Sequence, residues 1–219
     1  MPSLTVENYA KQIYQICAAA GGKPATTGQI ATQLGVSPGS VTSMLKTLSE
    51  SNLATYTPYE GVKLTAAGNA LALRIVRRHR LIEVFLVKTL GLDWVEVHEE
   101  AEHMEHAVSD LLVDRIDAYL GHPEADPHGD PIPRADGSLP EPDTQPLLAC
   151  EPGQDFRLAR VTDQSPEFLN YLSDAGLAIG TTGRLVENRE EAGTVSISID
   201  DREATIGHIA AAKLLVACV

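Results

Sequence analysis

The N-terminal part of the chain repeats apolar positions at the three- and four-residue spacing of amphipathic helices. One helix is predicted between Thr5, its expected N-cap, and Gly21-Gly22, which ends it. A second helix, a turn at Gly35 and a third helix follow, and Ser37 is expected to cap the third helix. Pro38 suits the first turn of that helix because proline has no backbone N–H to leave unbonded. The pattern therefore predicts a helix-turn-helix.

A short hairpin is predicted directly after this helix pair. Residues 53–57 and 62–65 have the composition of strands, and the segment from Pro58 to Gly61 has that of a turn. A helix-turn-helix followed by such a hairpin is typical of winged-helix DNA-binding domains, whose recognition helix enters the major groove. Most residues expected to contact DNA are small or hydroxylic: Thr27, Ser37, Pro38, Gly39, Ser40, Thr42 and Ser43. Three further residues are suited to contact phosphate: Lys46, Tyr59 and Lys63. Groove shape and water are therefore expected to carry much of the specificity.

Charge is distributed unevenly along the chain. The net charge of -13, taken alone, argues against a nucleic-acid partner. Residues 1–80, however, hold eight Lys/Arg against three Asp/Glu, a net +5, whereas residues 81–219 hold nine against 27, a net -18. The N-terminal part can therefore approach phosphate groups, and the remainder cannot.

Two long helices are predicted next, one from Ala66 to about Leu90 and one from about Val95 to Leu120. Apolar residues of the second helix, among them Leu111 and Leu112, are expected on its core-facing side. Three histidines and three carboxylates stand in one-turn register along the two helices: His79, Glu83, His98, Glu102, Glu105 and His106. A solvated charged face explains any single pair, but the whole set on two neighbouring helices favours a divalent-metal site.

The rest of the chain changes character twice. From Gly121 to Gly153 it is rich in Pro, Gly and Asp, which is typical of a linker, and His122 and His128 are interpreted there as loop residues. Several short strands and a helix capped near Ser165 follow, which predicts a small barrel.

The cysteines and the absence of a targeting pattern predict the redox state of the thiols and the cellular location of the protein. The three cysteines are odd in number and widely spaced, so they are expected to be reduced thiols rather than disulfides or a zinc site. No export signal or membrane span is expected, so the predicted location is cytoplasmic, with no membrane partner.

These motifs together resemble the diphtheria toxin repressor family of iron- and manganese-dependent regulators. The resemblance rests on Glu7-Asn8-Tyr9, residues 37–42, 78–83, 97–102 and 105–106, and Gly129-Asp130-Pro131-Ile132-Pro133. It implies two metal sites per subunit, one formed by His79, Glu83 and His98, and the other by Asn8, Glu102, Glu105 and His106. It further implies a C-terminal SH3-like, FeoA-like domain, in which Gln164 and Glu167 match positions that lend ligands to the first site in some members.

The resulting expectation is a protein that is mainly α with a small β domain. It comprises a winged helix-turn-helix over residues 1–73, a helical metal-binding dimerisation domain over 74–144 and the SH3-like barrel over 145–219. The resemblance implies a homodimer that binds double-stranded operator DNA when loaded with metal and represses metal-uptake genes.

The choice of metal depends on two residues. Asn8 and Glu102 stand where the iron-responsive branch of the family has sulfur ligands, and their harder oxygen donors favour Mn(II). The manganese branch of the family tends to have Asp where this chain has the neutral Asn8, so the site carries one negative charge fewer. Fe(II) is therefore kept as the alternative metal.

Two other functions account for part of the pattern. A di-metal carboxylate enzyme needs Glu/His pairs on further helices and an open coordination position, which this chain does not supply. The second alternative is a metal-independent winged-helix protein. Its Glu/His face would be solvated without binding metal, and its DNA affinity would not depend on metal.

Overall fold

The computed structural model describes residues 3–200 and 202–218. The chain divides into two compact units. The first contains the chain up to His79 together with Glu105–Ala107 and Pro133–Ser138. The second contains Arg80–Met104, Val108–Ile132 and the chain from Leu139 onward.

The first unit is a helix-turn-helix followed by a hairpin. Its elements are α1 (Leu4–Ala19), α2 (Thr27–Leu34), α3 (Pro38–Glu50), β1 (Ala54–Thr57), β2 (Gly61–Leu64) and the greater part of α4 (Ala66–Phe85). Ser37 caps α3 as predicted, accepting the Ser40 N–H at 3.1 Å. The cap of α1 was predicted wrongly, because Ser3 accepts the Val6 N–H and Thr5 lies inside the helix.

The core of this unit lies under the helix-turn-helix. Ile13 of α1, Ile30 of α2 and Leu45 of α3 are completely buried. The hairpin joins the same core through Val62, whose backbone exchanges two hydrogen bonds of 2.9 Å with Ala25. Burying one large aliphatic side chain contributes roughly 1.5–3 kcal/mol to the stability of the fold. These buried contacts hold α3 in the orientation that leaves its polar face exposed.

The helical part of the second unit is more broken than the sequence predicts. The end of α4 continues as a π-helical turn, Leu86–Leu90, and the chain then forms α5 (Val97–Met104) and α6 (Asp110–Tyr119). The prediction of one helix from Val95 to Leu120 was therefore wrong. Residues 105–107 form a turn, and Ser109 starts α6 by accepting the Leu112 N–H at 3.3 Å.

The C-terminal part of the second unit is an antiparallel sheet with strand order β3-β8-β4-β5-β6-β7. Its elements are β3 (Gln145–Pro146), β4 (Asp155–Val161), α7 (Pro166–Asp174), β5 (Thr182–Arg189), β6 (Thr194–Ile199), β7 (Arg202–Gly207), α8 (His208–Ala211) and β8 (Leu214–Cys218). Register shifts between Leu158 and Arg160, and between Leu185 and Glu187, interrupt two strand pairs. Such bulges increase twist and curvature, which lets a short sheet enclose its own core.

The observed elements agree with the predicted fold class, a mainly helical chain that ends in a small β domain. Among the described residues, no helix has both the length and the apolar character that crossing a lipid bilayer requires.

Candidate metal centre

A buried ion-pair network occupies the first unit around Glu105. This residue lies in the turn after α5 and is completely buried. Its Oε2 atom is 2.7 Å from Lys11 Nζ and also 2.7 Å from His79 Nδ1. Burial alone would raise the pKa of Glu105, but the hydrogen bond with His79 and the charge of Lys11 outweigh burial and hold the pKa below its ordinary value. Glu105 is therefore held as a carboxylate.

The other oxygen of the Glu105 carboxylate lies beside an imidazole nitrogen that lacks a hydrogen bond. Glu105 Oε1 lies 3.1 Å from His106 Nε2, and neither atom forms a hydrogen bond. The Nδ1 atom of His106 is 2.9 Å from Glu7 Oε2, which favours the tautomer that leaves the Nε2 lone pair available. Asn8 Oδ1, next to Glu7 on α1, is also buried without a hydrogen bond. We call Asn8, Glu105 and His106 the Glu105 cluster.

Unsatisfied buried polar atoms are costly, roughly 1–3 kcal/mol each. Two of them, Glu105 Oε1 and His106 Nε2, lie 3.1 Å apart and suit a shared cation, and Asn8 Oδ1 is a third buried oxygen donor without a hydrogen bond in the same unit.

A second cluster lies in the second unit and consists of Glu83, Asp126 and His128. Each offers a ligand atom, and these atoms all lie within 4.8 Å of one another. The Nδ1 atom of His128 is 3.9 Å from both Glu83 Oε1 and Asp126 Oδ1, and it is buried without a hydrogen bond. Two ligand atoms that share an ion at about 2.1 Å lie at most about 4.2 Å apart, so the two separations of 3.9 Å from His128 Nδ1 suit a common ion. We call this group the His128 cluster.

The loop that carries Asp126 and His128 is fixed by its own hydrogen bonds. Asp126 Oδ1 accepts the backbone N–H groups of His128 at 2.8 Å and Asp130 at 2.9 Å. Burial, together with the charges of Glu83 and Asp130, raises the pKa of Asp126 well above its ordinary value, although Arg80 opposes the shift. A cation at this cluster would offset the repulsion among these buried carboxylates.

The remaining predicted ligands lie in the second unit. His98 Nδ1 is 3.3 Å from Glu83 Oε1, and His98 Nε2 is 3.8 Å from Glu102 Oε1. Gln164 donates its amide to Asp130 at 3.0 Å, and Glu167 is exposed on α7. The two ligand sets implied by the family resemblance combine residues of both units and stay predictions.

Sequence reasoning missed two residues of the His128 cluster and one neighbour of the Glu105 cluster. Asp126 and His128 were assigned to a linker, and the signal that could have identified them is a carboxylate and an imidazole two residues apart just before Gly129-Asp130-Pro131. Lys11 was passed over, although it follows Asn8 by one helical turn. The loop interpretation does fit His122, which is exposed and 2.9 Å from Asp117.

The expected DNA-contacting side of the first unit is largely exposed. Ser37, Pro38, Gly39, Ser40, Ser43, Lys46, Tyr59 and Lys63 are exposed, and Thr27 and Thr42 are half-buried. The Thr42 hydroxyl donates to the Pro38 carbonyl at 3.0 Å, and the Ser37 and Ser40 hydroxyls pair at 2.9 Å. Tyr59 holds the hairpin tip with a positive φ of 69°. Much of the hydroxyl capacity of α3 is thus used within the helix, which agrees with modest direct base readout.

Three family models match the chain in succession. They are the iron-dependent repressor N-terminal DNA-binding domain over residues 1–62, the iron-dependent repressor metal-binding and dimerisation domain over residues 65–134, and the FeoA domain over residues 145–218. The fold and the clusters thus define the class of metal-responsive winged-helix regulators.

Relatives and solved structures agree with this class. The chain is 38% identical to the transcriptional regulator MntR of Shouchella clausii over 116 residues, which is 53% of this chain and 79% of that protein. It is 34% identical to the iron-dependent repressor IdeR of Mycobacterium tuberculosis over 160 residues, covering 73% of this chain and 65% of that one. A manganese-dependent transcriptional repressor solved with manganese superposes with a TM-score of 0.87, at 40% identity, over 98% of this chain and 100% of the other.

The chain therefore belongs to the iron-dependent repressor family, which includes the diphtheria toxin repressor, and it is a metal-dependent transcriptional repressor. Because these relatives are transcriptional regulators, the alternative of a di-metal enzyme is set aside.

Proposed function

We propose that this protein is a Mn(II)-dependent repressor that binds operator DNA as a homodimer and controls metal-uptake genes. The observation that carries the proposal is the Glu105 cluster, whose three unbonded donor atoms are oxygen and nitrogen. Amide and carboxylate oxygens with an imidazole suit Mn(II), whereas sulfur would favour softer metals. The likeness to a manganese-dependent repressor over nearly the whole chain supports the same choice.

The residues of the Glu105 cluster explain how metal loading would reach the DNA-binding domain. Asn8 lies on α1, which packs against α2 and β2 of the winged helix. Glu105 and His106 lie in the turn that joins α5 and α6. Ligands from α1 and from this turn tie the winged helix to the chain that leads into α6. A bound cation supplies the positive charge that makes this arrangement favourable, and the conformer it stabilises is the one that binds DNA.

The His128 cluster would hold the second ion. Glu83 comes from α4, and Asp126 and His128 come from the loop before Gly129. Its ligands therefore fasten that loop to the helix. The backbone of the same loop bonds the C-terminal sheet domain, since the His128 carbonyl accepts the Val161 N–H at 3.0 Å.

A second copy of the chain would cover the exposed apolar side of α6. Leu111 and Leu112 were predicted to face the core, yet they are 69% and 47% exposed. Exposed large apolar side chains on one short helix are typical of an oligomer contact. The match to a dimerisation domain over residues 65–134 supports a homodimer as the occupant.

The test is a DNA-binding assay with one metal at a time. Selection from random-sequence duplex DNA in the presence of Mn(II) should enrich an inverted repeat, because a two-fold dimer reads two half-sites. Titration of Mn(II), Fe(II) and Zn(II) on the selected duplex then ranks the metals. DNA affinity that is equal with metal and with chelator would contradict the proposal, and the Fe(II)-dependent alternative is favoured if Fe(II) activates at concentrations where Mn(II) does not.

A further inference from the structure

Lys11 is a buried lysine whose charge lies beside a metal ligand. It projects from α1, its residue exposure is 5%, and its Nζ atom is 2.7 Å from Glu105 Oε2 and 3.2 Å from His79 Nδ1. Lysine is almost never buried to this degree unless it is paired. One of its pairing partners here is the carboxylate that the Glu105 cluster needs for its cation.

The two oxygens of Glu105 therefore have different surroundings. Oε2 is within hydrogen-bond distance of Lys11 and His79, whereas Oε1 has no hydrogen bond and lies beside His106 Nε2. Lys11 thus holds the carboxylate by one oxygen and leaves the other available. The same contact places a fixed positive charge on the far side of the ligand.

We infer that Lys11 is a positioning residue that sets the threshold of the metal response by acting as a built-in counter-cation for Glu105. The inference rests on the proposed metal site at the Glu105 cluster. In the metal-free protein, the positive charge of Lys11 compensates the negative charge of the buried Glu105 carboxylate and so stabilises the arrangement of the cluster. When a divalent cation binds the same carboxylate, the two positive charges repel, so Lys11 weakens metal binding.

Both effects change metal affinity in the same direction. Removing Lys11 leaves Glu105 with less compensation in the metal-free state, which destabilises that state. It also removes the repulsion that opposes the bound cation. By linkage, anything that destabilises the metal-free state more than the loaded state raises the metal affinity. A lysine with a merely structural role gives the opposite result, since its loss would loosen Glu105 and weaken metal binding.

The experiment compares Lys11→Met with Lys23→Met, a control at an exposed lysine of the same unit. Both are made in the His128→Ala protein, so that the Glu105 cluster gives the binding signal. The dissociation constant for Mn(II) is measured by competition with a fluorescent chelator, and thermal unfolding is followed with and without Mn(II). If Lys11→Met does not fold without metal, Lys11→Gln replaces it, because its amide still donates to Glu105 without a charge.

For Lys11→Met we expect at least tenfold tighter Mn(II) binding, a lower Tm without metal, and a larger rise in Tm on adding Mn(II) than in the parent. Lys23→Met should match the parent in all three. Equal or weaker Mn(II) binding by Lys11→Met would overturn the role of Lys11 while leaving the metal site intact. Absence of Mn(II) binding in the His128→Ala parent would instead overturn the site itself, and the inference with it.

Discussion

The Nε2 atom of His128 lies 2.8 Å from the backbone oxygen of Trp94, and this contact determines which ring nitrogen faces the carboxylates. With Nε2–H donating to a carbonyl, Nδ1 keeps its lone pair and is aimed at Glu83 and Asp126. A histidine with one nitrogen bonded to a backbone carbonyl and the other unpaired is the usual arrangement of a metal-binding imidazole.

The first prediction concerns the His128 cluster. Replacing His128 by Ala removes the nitrogen donor, so we expect the Mn(II) content at saturation to fall from two ions to one per chain. Equilibrium dialysis followed by metal analysis measures this number. His122→Ala is the control, because His122 is exposed in the same segment. A His128→Ala protein that still binds two ions with unchanged affinity would remove this residue from the metal centre.

The second prediction concerns His106, which offers an unbonded Nε2 beside Glu105 Oε1. His106→Ala should weaken Mn(II) binding by at least about tenfold and abolish Mn(II)-dependent DNA binding at ordinary metal concentrations. Circular dichroism should show the helices intact, because His106 lies in the turn between α5 and α6 and not within a helix. His103→Ala, three residues earlier and exposed, should respond to Mn(II) like the wild type. If His106→Ala also responds normally, the Glu105 cluster is not the activating site.

The third prediction concerns stability of the winged helix. A Cβ on Gly68 would lie 1.9 Å from the Leu53 carbonyl oxygen, a backbone atom that cannot move without shifting the end of the hairpin. Gly68→Ala should therefore lower the free energy of unfolding by about 2 kcal/mol or more. Gly28→Ala on α2, where a Cβ meets nothing within 4 Å, should be neutral or stabilising by up to about 1 kcal/mol. Urea denaturation measures both, and equal effects of the two substitutions would contradict the steric argument.

Local features of the fold could be predicted from the sequence because their causes are local. Ser37 caps α3, Gly35 takes a positive φ of 63° in the turn, and β1 pairs with β2 directly after the helix pair. Each depends on residues within a few positions of one another. The Glu/His spacing behind the metal-site hypothesis is likewise visible along the chain, and the ligand sets drawn from it stay predictions.

Features that depend on distant contacts could not be predicted. The apolar period continues through Met104 and Val108, so nothing in the periodicity signals the turn at residues 105–107. The expectation that Glu105 and His106 share a helical face with His98 and Glu102 was wrong for that reason. His128 was missed because its site depends on Glu83, far away in the sequence.

The fourth prediction concerns the DNA-binding surface, where Lys46 and Lys63 are exposed on α3 and β2. Each phosphate contact releases counterions, so the logarithm of the affinity falls linearly with that of the salt concentration. Replacing either lysine by Ala should weaken DNA binding and reduce this slope by about one. Lys88→Ala, at an exposed lysine outside the winged helix, should leave the slope unchanged. Fluorescence anisotropy at several salt concentrations measures the slope, and an unaltered slope in the double Lys46/Lys63 variant would exclude these phosphate contacts.

The fifth prediction concerns the choice of metal and depends on Asn8 and Glu102. The family resemblance implies sulfur ligands at these two positions in the iron-responsive branch. Oxygen donors suit Mn(II), whereas thioether and thiolate suit the later metals. The wild type should therefore be activated by Mn(II). The double variant Asn8→Met with Glu102→Cys should respond relatively better to Fe(II), Co(II) or Zn(II).

The measured quantity in this last test must be a ratio. Affinity for most ligand sets rises from Mn(II) toward the later divalent metals whatever the protein does, so an absolute gain for Zn(II) alone carries no information about selectivity. Activation by each metal relative to Mn(II) is instead compared between the two proteins, on one duplex and at one salt concentration, because DNA affinity itself depends on salt. An identical metal ranking in the two proteins would mean that Asn8 and Glu102 do not set selectivity. The preference for Mn(II) would then have to come from the carboxylate and imidazole donors that both proteins retain.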